Sequence, residues 1–455
     1  MNINDELELI IDKLVYEGAS LAKYNGIPVF VESGCPGDVV KAKILKINKN
    51  YIKAKITEIL TPSSHRVKPF CPIHNVCGGC GWQYIDYDFQ LAQKRNIVEE
   101  TIKKITGESI EIKPVIPSPE TREFRCKLQY PCTQTKVSKR LIAGYYKKGT
   151  HEIVNIKYCP IQPKIIGKIL EFIRLKVSEF SISAYDEKRH KGELRHLIFR
   201  YSKSENTCLI IFVVNDNKLT DKFKKLAKTV MDEFAHVVGC CINYNLEKTN
   251  LIMSNDTRKI QGENFYYEKI GDITYRISAN SFFQVNIGSA ENIFNTVKKI
   301  IEENYEKPKI LDAYSGVSSF GLWLKDTAKS VTCVEEAPSS SKDAIENVKL
   351  NNAKNFTILN GDAKQIFKDL IDNGELFDVT VLDPPRKGCE KESLDIAIKL
   401  TSKAIIYVSC NPSTLARDLK YLHENGFSTK YIQPVDMFCH SYHIESIAWL
   451  EKKNC

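Results

Sequence analysis

No run in the 455-residue chain approaches ~18 consecutive apolar residues, so no hydrophobic helix able to cross a membrane is expected. The first residues, MNINDELELIIDKLV, lack a positive start followed by an apolar core, which excludes a secretory signal there. The 15 cysteines are odd in number and unevenly spaced, and without such a signal they are not expected to form a disulfide framework. Clustered cysteines in a cytoplasmic chain point to metal or catalysis instead. No internal repeat or low-complexity segment appears, which sets aside repeat architectures. Nothing suggests an obligate oligomer, and a monomer is expected. Charge of one sign is also scarce. The 65 Lys and Arg exceed the 56 Asp and Glu by a net +9, compatible with a polyanionic partner without establishing one.

What is present is globular, with 43% hydrophobic and 27% charged residues. At roughly 150 residues per domain, the length suits two to three domains. LELIIDKLV, IPVFVE, DVVKAKILKI and YIKAKITEIL read as short strands separated by Asn-Gly, Ser-Gly and Pro-Gly-Asp turns, which suggests a small OB-type barrel over 1–65. Thr61-Pro62-Ser63-Ser64 reads as a linker. A cysteine-rich segment follows, then helical spacing over 90–105. The stretch from about 110 to 275 is mixed and strand-rich, with LRHLIFRYS, CLIIFVVN and CCINYNL the strong strand candidates. In the last third, strands alternate with helices at short intervals, the pattern of a doubly wound parallel sheet. The expected parts are 1–65, a central α+β part over 66–272, and a C-terminal α/β part of Rossmann-like type over 273–455.

In open α/β sheets ligands bind at the carboxyl ends of the strands, and four such ends carry polar groups here. The first strand ends in Asp312-Ala313-Tyr314-Ser315-Gly316, a tight turn without the G-x-G-x-x-G of a dinucleotide site. Glu335 ends the second about 20 residues on, where a carboxylate suits the ribose hydroxyls of an adenosine cofactor. Asp362 ends the third, in reach of an adenine amino group. The fourth ends in Asp383-Pro384-Pro385, whose prolines hold the acid extended at the sheet rim, with Arg386-Lys387-Gly388 beside it as a basic turn. Cys410 ends the next strand, in Ser409-Cys410-Asn411-Pro412. A thiol between a strand end and a helix N-terminus is expected to have a lowered pKa, as a nucleophile needs. Glu445, at the start of the strand SIAWL, is placed to act as a general base.

Cys71, Cys77 and Cys80 have C-x5-C-x2-C spacing, and Cys159, followed by a proline, is the candidate fourth thiolate. Three cysteines in ten residues plus one distant suit a [4Fe-4S] cluster. Zinc is the alternative, held by the four thiolates or by three with His74. Thr121-Arg122-Glu123-Phe124-Arg125-Cys126-Lys127 mixes basic and aromatic groups as single-strand RNA sites do.

Cysteine before Asn-Pro, the Asp-Pro-Pro-Arg-Lys-Gly turn, Ser-Phe-Phe-Gln-Val-Asn at 281–286 and the late His-x-Glu together resemble the TrmA/RumA family of RNA uridine-5 methyltransferases. The resemblance covers nearly the whole chain. It implies a class I S-adenosylmethionine-dependent methyltransferase fold over 273–455, with Cys410 as nucleophile and Glu445 as base. Gln284, Tyr314, Glu335, Asp362 and Asp383 would then line the S-adenosylmethionine and uracil sites. Ser318 stands where family members often have the second glycine of a Gly-x-Gly turn. The cysteine pattern resembles the RumA branch, whose four cysteines bind a [4Fe-4S] cluster, and residues 1–65 resemble a TRAM domain. The helical stretch near 83–113 would pack on the C-terminal part. The implied substrate is 23S ribosomal RNA. Transfer RNA is the second choice, and a non-catalytic RNA-binding iron–sulfur protein the alternative from another class.

Overall fold

The structure, a computed structural model, describes residues 1–453. Alternation along Glu6–Leu14 (β1) turns Leu7, Leu9 and Ile11 inward and the residues between them outward. Ser20–Tyr24 (β2), Ile27–Glu32 (β3), Val39–Ile47 (β4) and Ile52–Thr61 (β5) close with it into a barrel of order β1-β2-β3-β5-β4. The small barrel expected at the N-terminus is therefore present, with β2 as a strand too short to stand out in the sequence. Buried Asp38 ties the barrel to the chain that follows. Its carboxylate accepts from the Ser63 N–H at 2.9 Å and from Arg66 at 2.7 Å.

Tyr87–Thr106 (α1) begins at Asp86, whose side chain accepts from the Phe89 N–H, and ends at Gly107, which takes the left-handed φ of 78° that a side chain would resist. Its buried face includes Gln90, Gln93 and Lys94 beside Ile97, Val98 and Ile102, an unusually polar surface to hide.

The central sheet has the order β12-β11-β10-β9-β6-β7-β8. Its strands are Lys127–Gln134 (β6), Leu141–Tyr146 (β7), Ile153–Asn155 (β8), Leu194–Ser202 (β9), Thr207–Val214 (β10), Val237–Tyr244 (β11) and Thr257–Gly262 (β12). Lys164–Glu179 (α2) and Asp221–Glu233 (α3) cover one face. β10 shows no alternation because it is buried on both faces: Cys208, Ile210 and Phe212 meet the helices, and Leu209, Ile211 and Val213 meet the C-terminal part. A hairpin follows, Phe265–Ile270 (β13) and Ile273–Ser278 (β14), and position 272/273 falls in its turn.

The remaining elements are Ile287–Asn304 (α4), Lys309–Ala313 (β15), Ser319–Trp323 (α5), Ser330–Glu335 (β16), Pro338–Leu350 (α6), Phe356–Asn360 (β17), Ala363–Asp372 (α7), Phe377–Leu382 (β18), Lys391–Leu400 (α8), Thr401–Ser409 (β19), Pro412–Glu424 (α9), Phe427–Val435 (β20) and Glu445–Lys452 (β21). They form a sheet of order β17-β16-β15-β18-β19-β21-β20, with helices between strands. The first five strands are parallel, as the alternating pattern led us to expect. The sheet is nevertheless mixed, because β21 runs antiparallel between β19 and β20. β20 and β21 are joined by a connection too short for the crossover that parallel strands require. Strand order reverses between β15 and β18, where the sheet opens a crevice for a ligand. No helix among the described residues is long and apolar enough to cross a membrane.

Candidate active site

Register sets the site. Ala313 pairs with Val334 on one side and with Leu382 on the other, so Tyr314, Glu335 and Asp383 share one row at the carboxyl edge of the sheet. Leu382 pairs with Tyr407, which brings β19 to its end at Ser409 just above that row. Ser409 pairs with Ser446 of antiparallel β21, and one further step places Cys410 opposite Glu445. Two residues 35 positions apart thus meet because β21 inserts beside β19 rather than at the sheet's edge.

The helix after Cys410 holds the neighbouring loop. Asn411 caps α9 by accepting from the Ser413 N–H at 2.9 Å, and its amide donates to the Arg386 carbonyl at 3.4 Å. Arg417 donates to the Lys387 carbonyl at 3.1 Å and the Cys389 carbonyl at 3.0 Å. The Asp383–Gly388 turn is thereby fixed against the start of α9, with Arg386 beside Cys410.

The electrostatics differ from the sequence expectation. Burial pushes Cys410 up to about 12, Glu445 and Asp383 add to the rise, and Arg386 opposes it. The lowered thiol expected from the helix N-terminus is overturned, because desolvation and two carboxyl groups outweigh one helix end and one guanidinium. Burial also pushes Asp383 up to about 7 and Glu445 well above the usual carboxylate range, with Asp383 adding to the latter and Arg386 opposing it.

On the cofactor side, Glu335 accepts from the Gly316 N–H at 2.8 Å and the Ala337 N–H at 2.7 Å, which fixes its carboxylate across the first turn. Tyr314 and Ser318 both adopt left-handed φ, each 65°. The serine at the position of the family's second glycine keeps the backbone shape that glycine favours, with its hydroxyl 3.2 Å from the Cys333 sulfur. Asp362 is exposed and caps α7, accepting from the Gln365 N–H at 3.0 Å. Gln284 lies between β14 and α4, where Val285 accepts from the Cys126 N–H at 2.7 Å and so sets it beside the Arg125–Lys127 segment that leads into β6. Two residues escaped the sequence reading. Asp312 is fully buried; one oxygen accepts from the Gly321 N–H, the other has no partner, and burial pushes it up to about 8. Tyr16, from a turn of the barrel, is pushed up to about 12 by burial and by Cys410 and Tyr442 nearby. A lone tyrosine 394 positions from the cysteine leaves no signal in sequence spacing.

Two cavities lie near these residues, one of them walled by Arg386 and both by His443. Arg125, Arg386, Phe124, Tyr145, Phe438 and His443 are among the walls of one of about 220 Å³. The Tyr145 hydroxyl is buried without a partner. A groove of about 870 Å³ runs between the barrel and the cysteine segment, past Arg66, Lys147, Lys148 and His151 to Tyr442 and His443. Cys71, Cys77, Cys80 and Cys159 line one small cavity of about 20 Å³. Burial pushes Cys80 up to about 11, with Cys77 and Cys71 adding to the rise, and Cys159 up to about 12, with Cys80, Cys77 and Cys71 adding. Among the described residues, no three His, Cys, Asp or Glu side chains converge closely enough to hold a single metal ion.

The tRNA (uracil-5-)-methyltransferase family matches residues 86–453, and the TRAM domain matches residues 2–57. A protein of Oceanobacillus iheyensis named as an RNA methyltransferase is 37% identical, covering 100% of this chain and 98% of its own. A Bacillus cereus protein, also named as an RNA methyltransferase, is 35% identical, covering 98% and 97%. Among solved structures, the Pyrococcus abyssi tRNA (uracil-54, C5)-methyltransferase in complex with S-adenosyl-L-homocysteine is similar with a TM-score of 0.77 and 26% identity. That match covers 98% of this chain and 100% of the other. The chain belongs to the tRNA (uracil-5-)-methyltransferase family, and is an S-adenosylmethionine-dependent RNA methyltransferase with a TRAM domain ahead of its catalytic part.

Proposed function

We propose that the enzyme methylates carbon 5 of a uridine in structured RNA through a covalent bond between Cys410 and the base. The observation that carries this reading is Cys410 opposite Glu445 across the β19–β21 edge, with Asp383 in the adjoining row. Carbon 5 of uracil is a poor nucleophile. Addition of the Cys410 thiolate to carbon 6 pushes an electron pair onto the ring as an enolate, which makes carbon 5 reactive. S-adenosylmethionine, when bound, supplies the methyl group. Gln284, Tyr314, Glu335 and Asp362 are the residues that would hold it, and Asp383 would orient the uracil amide edge. Glu445 then takes the carbon 5 proton, and the carbon 6–sulfur bond breaks to return the thiolate. Burial raises the Glu445 carboxyl well above its usual range, which makes its carboxylate the stronger base for that proton. The base must first be unstacked and flipped, at a cost of a few kcal/mol. The cavity walled by Arg125 and Arg386 offers polar and aromatic walls for the RNA.

Cys71, Cys77, Cys80 and Cys159 would hold a [4Fe-4S] cluster. The donor set fits: four cysteines face one cavity, and burial raises Cys77, Cys80 and Cys159, whose thiolates a cation there would stabilise. Zinc on the same cysteines is the second reading. Bound there, the cluster would brace the segment that walls the groove.

The resemblance of the cysteine segment favours large-subunit ribosomal RNA as substrate. Transfer RNA is the second reading, favoured by the full-length likeness to the Pyrococcus abyssi enzyme. The test is a trap. RNA containing 5-fluorouridine, incubated with enzyme and S-adenosylmethionine, is expected to give a denaturation-resistant adduct, because fluorine cannot leave carbon 5 as a proton. Cys410→Ala is expected to abolish it. An adduct that survives in Cys410→Ala overturns the mechanism, and separate ribosomal and transfer RNA pools decide the substrate.

A further inference from the structure

Glu445 follows the connection 436–444, and the contacts of that connection converge on a few buried groups of α1. Lys94 and Asp436 have no side-chain exposure, and their ion pair is 2.6 Å long. Lys94 also donates to the Phe438 carbonyl at 3.1 Å. The second Asp436 oxygen accepts from the Tyr87 hydroxyl at 2.7 Å, and that hydroxyl in turn accepts from the Ser118 N–H at 2.9 Å. Gln90 accepts from the His440 N–H at 3.1 Å, and His440 lies near its amide and the Thr121 carbonyl. From the other side, Ser289 donates to the Asp436 carbonyl at 2.8 Å and Asn286 to the Met437 carbonyl at 3.2 Å. Asn286 is two residues after Gln284. Val435, next to Asp436, pairs with Glu445 itself. One buried polar knot therefore fixes the segment bearing Glu445, the segment bearing Gln284 and helix α1 relative to one another.

We infer that Lys94, Asp436 and Tyr87 are positioning residues that aim Glu445 at the carbon 5 proton. A fully buried ion pair is a poor source of stability, since desolvation offsets its attraction. What it supplies is geometry: two charges in a dry interior must sit in contact, and here both also anchor backbone carbonyls or hydroxyls of the loops they join. The inference rests on the proposed role of Glu445. Its chemical consequence is specific. Addition of Cys410 and methyl transfer do not need Glu445, whereas loss of the carbon 5 proton and release of the thiolate do. Misaiming Glu445 therefore strands the enzyme as a methylated covalent adduct on ordinary uridine RNA.

The experiment uses the full-length enzyme and an RNA pool shown to give the 5-fluorouridine adduct, now without fluorine. Removing one charge alone would leave the other buried and unpaired, so the variants are Tyr87→Phe and the double change Lys94→Met with Asp436→Asn. Folding is checked by thermal melting and by calorimetric binding of S-adenosylmethionine. Glu445→Gln is the control. If it traps adduct on ordinary RNA, the role of Glu445 stands. The double variant is then expected to slow release about 100-fold, the scale of a 1 Å misplacement, and to accumulate adduct while single-turnover methyl transfer changes far less. Tyr87→Phe is expected to do so more weakly. Folded variants that bind S-adenosylmethionine and accumulate no adduct overturn the inference while the control still holds. If Glu445→Gln itself traps nothing, the reading of Glu445 and the inference fall together. If the double variant does not fold, Tyr87→Phe decides alone.

Discussion

Cys410 sits among groups that keep its proton on. Burial and Glu445 hold it up at about 12, and Arg386 is the one neighbour pulling it down. At pH 8 the free enzyme is therefore almost wholly thiol, and alkylation by iodoacetamide is expected to be slow and to quicken as pH rises toward 12. Glu445→Gln removes the carboxyl that raises the thiol, so alkylation at alkaline pH, where that carboxyl is charged, is expected to accelerate. Arg386→Ala is expected to slow it. A pKa change of one unit alters the thiolate fraction about tenfold, which mass spectrometry of the Cys410 peptide resolves. Slower alkylation in Glu445→Gln, or faster alkylation in Arg386→Ala, would sink this electrostatic account. Cys410 and Glu445 were both visible in the sequence as polar groups at strand ends. The direction of the thiol shift was not, because it depends on how many carboxyl groups fold around the sulfur.

Among the elements, α9 does two jobs through the residue that caps it. Asn411 accepts from the helix N-terminus and donates to the Arg386 carbonyl. Asn411→Ala is expected to cost about 1 kcal/mol in urea denaturation, the usual effect of removing a cap, and to slow adduct formation by loosening the Arg386 turn. Asn411→Asp keeps the acceptor and loses the donor. It is expected to retain stability and still slow adduct formation. Equal stability loss in both variants would refute this division of roles. The strands β15 to β19 were legible because buried parallel strands read as apolar runs ending in polar turns. β20 was not, since Phe427–Val435 carries a lysine, a glutamine and a proline and pairs at the edge. α1 was legible as a helix from its spacing, but its polar buried face was not: Gln90 and Lys94 look like solvent residues until His440 and Asp436 are placed against them.

For the molecule as a whole, charge is focused rather than large. The net +9 is modest, yet the groove between barrel and cysteine segment gathers Arg66, Lys147 and Lys148 on the way to His443. If RNA follows that groove, Lys147→Ala with Lys148→Ala weakens binding. The slope of log affinity against log salt then falls by about one for each phosphate that no longer meets a lysine. S-adenosylmethionine binding is expected to stay unchanged. An unaltered salt slope, measured by RNA titration at several ionic strengths, would place the RNA elsewhere.

The sequence by itself determined the local chemistry: a barrel from alternating strands, a nucleotide-binding sheet from its strand-helix alternation, and a cysteine, four acids and a basic turn at strand ends. Period and punctuation are properties of neighbouring residues, so they survive without a structure. Tertiary structure alone decided which distant groups meet. It set Glu445 against Cys410 by inserting β21 antiparallel, brought Tyr16 of the barrel to the same sulfur, and buried Lys94 against Asp436. It also raised the thiol that local geometry had suggested was lowered. Those outcomes depend on burial and on charges contributed from far along the chain, which no spacing encodes.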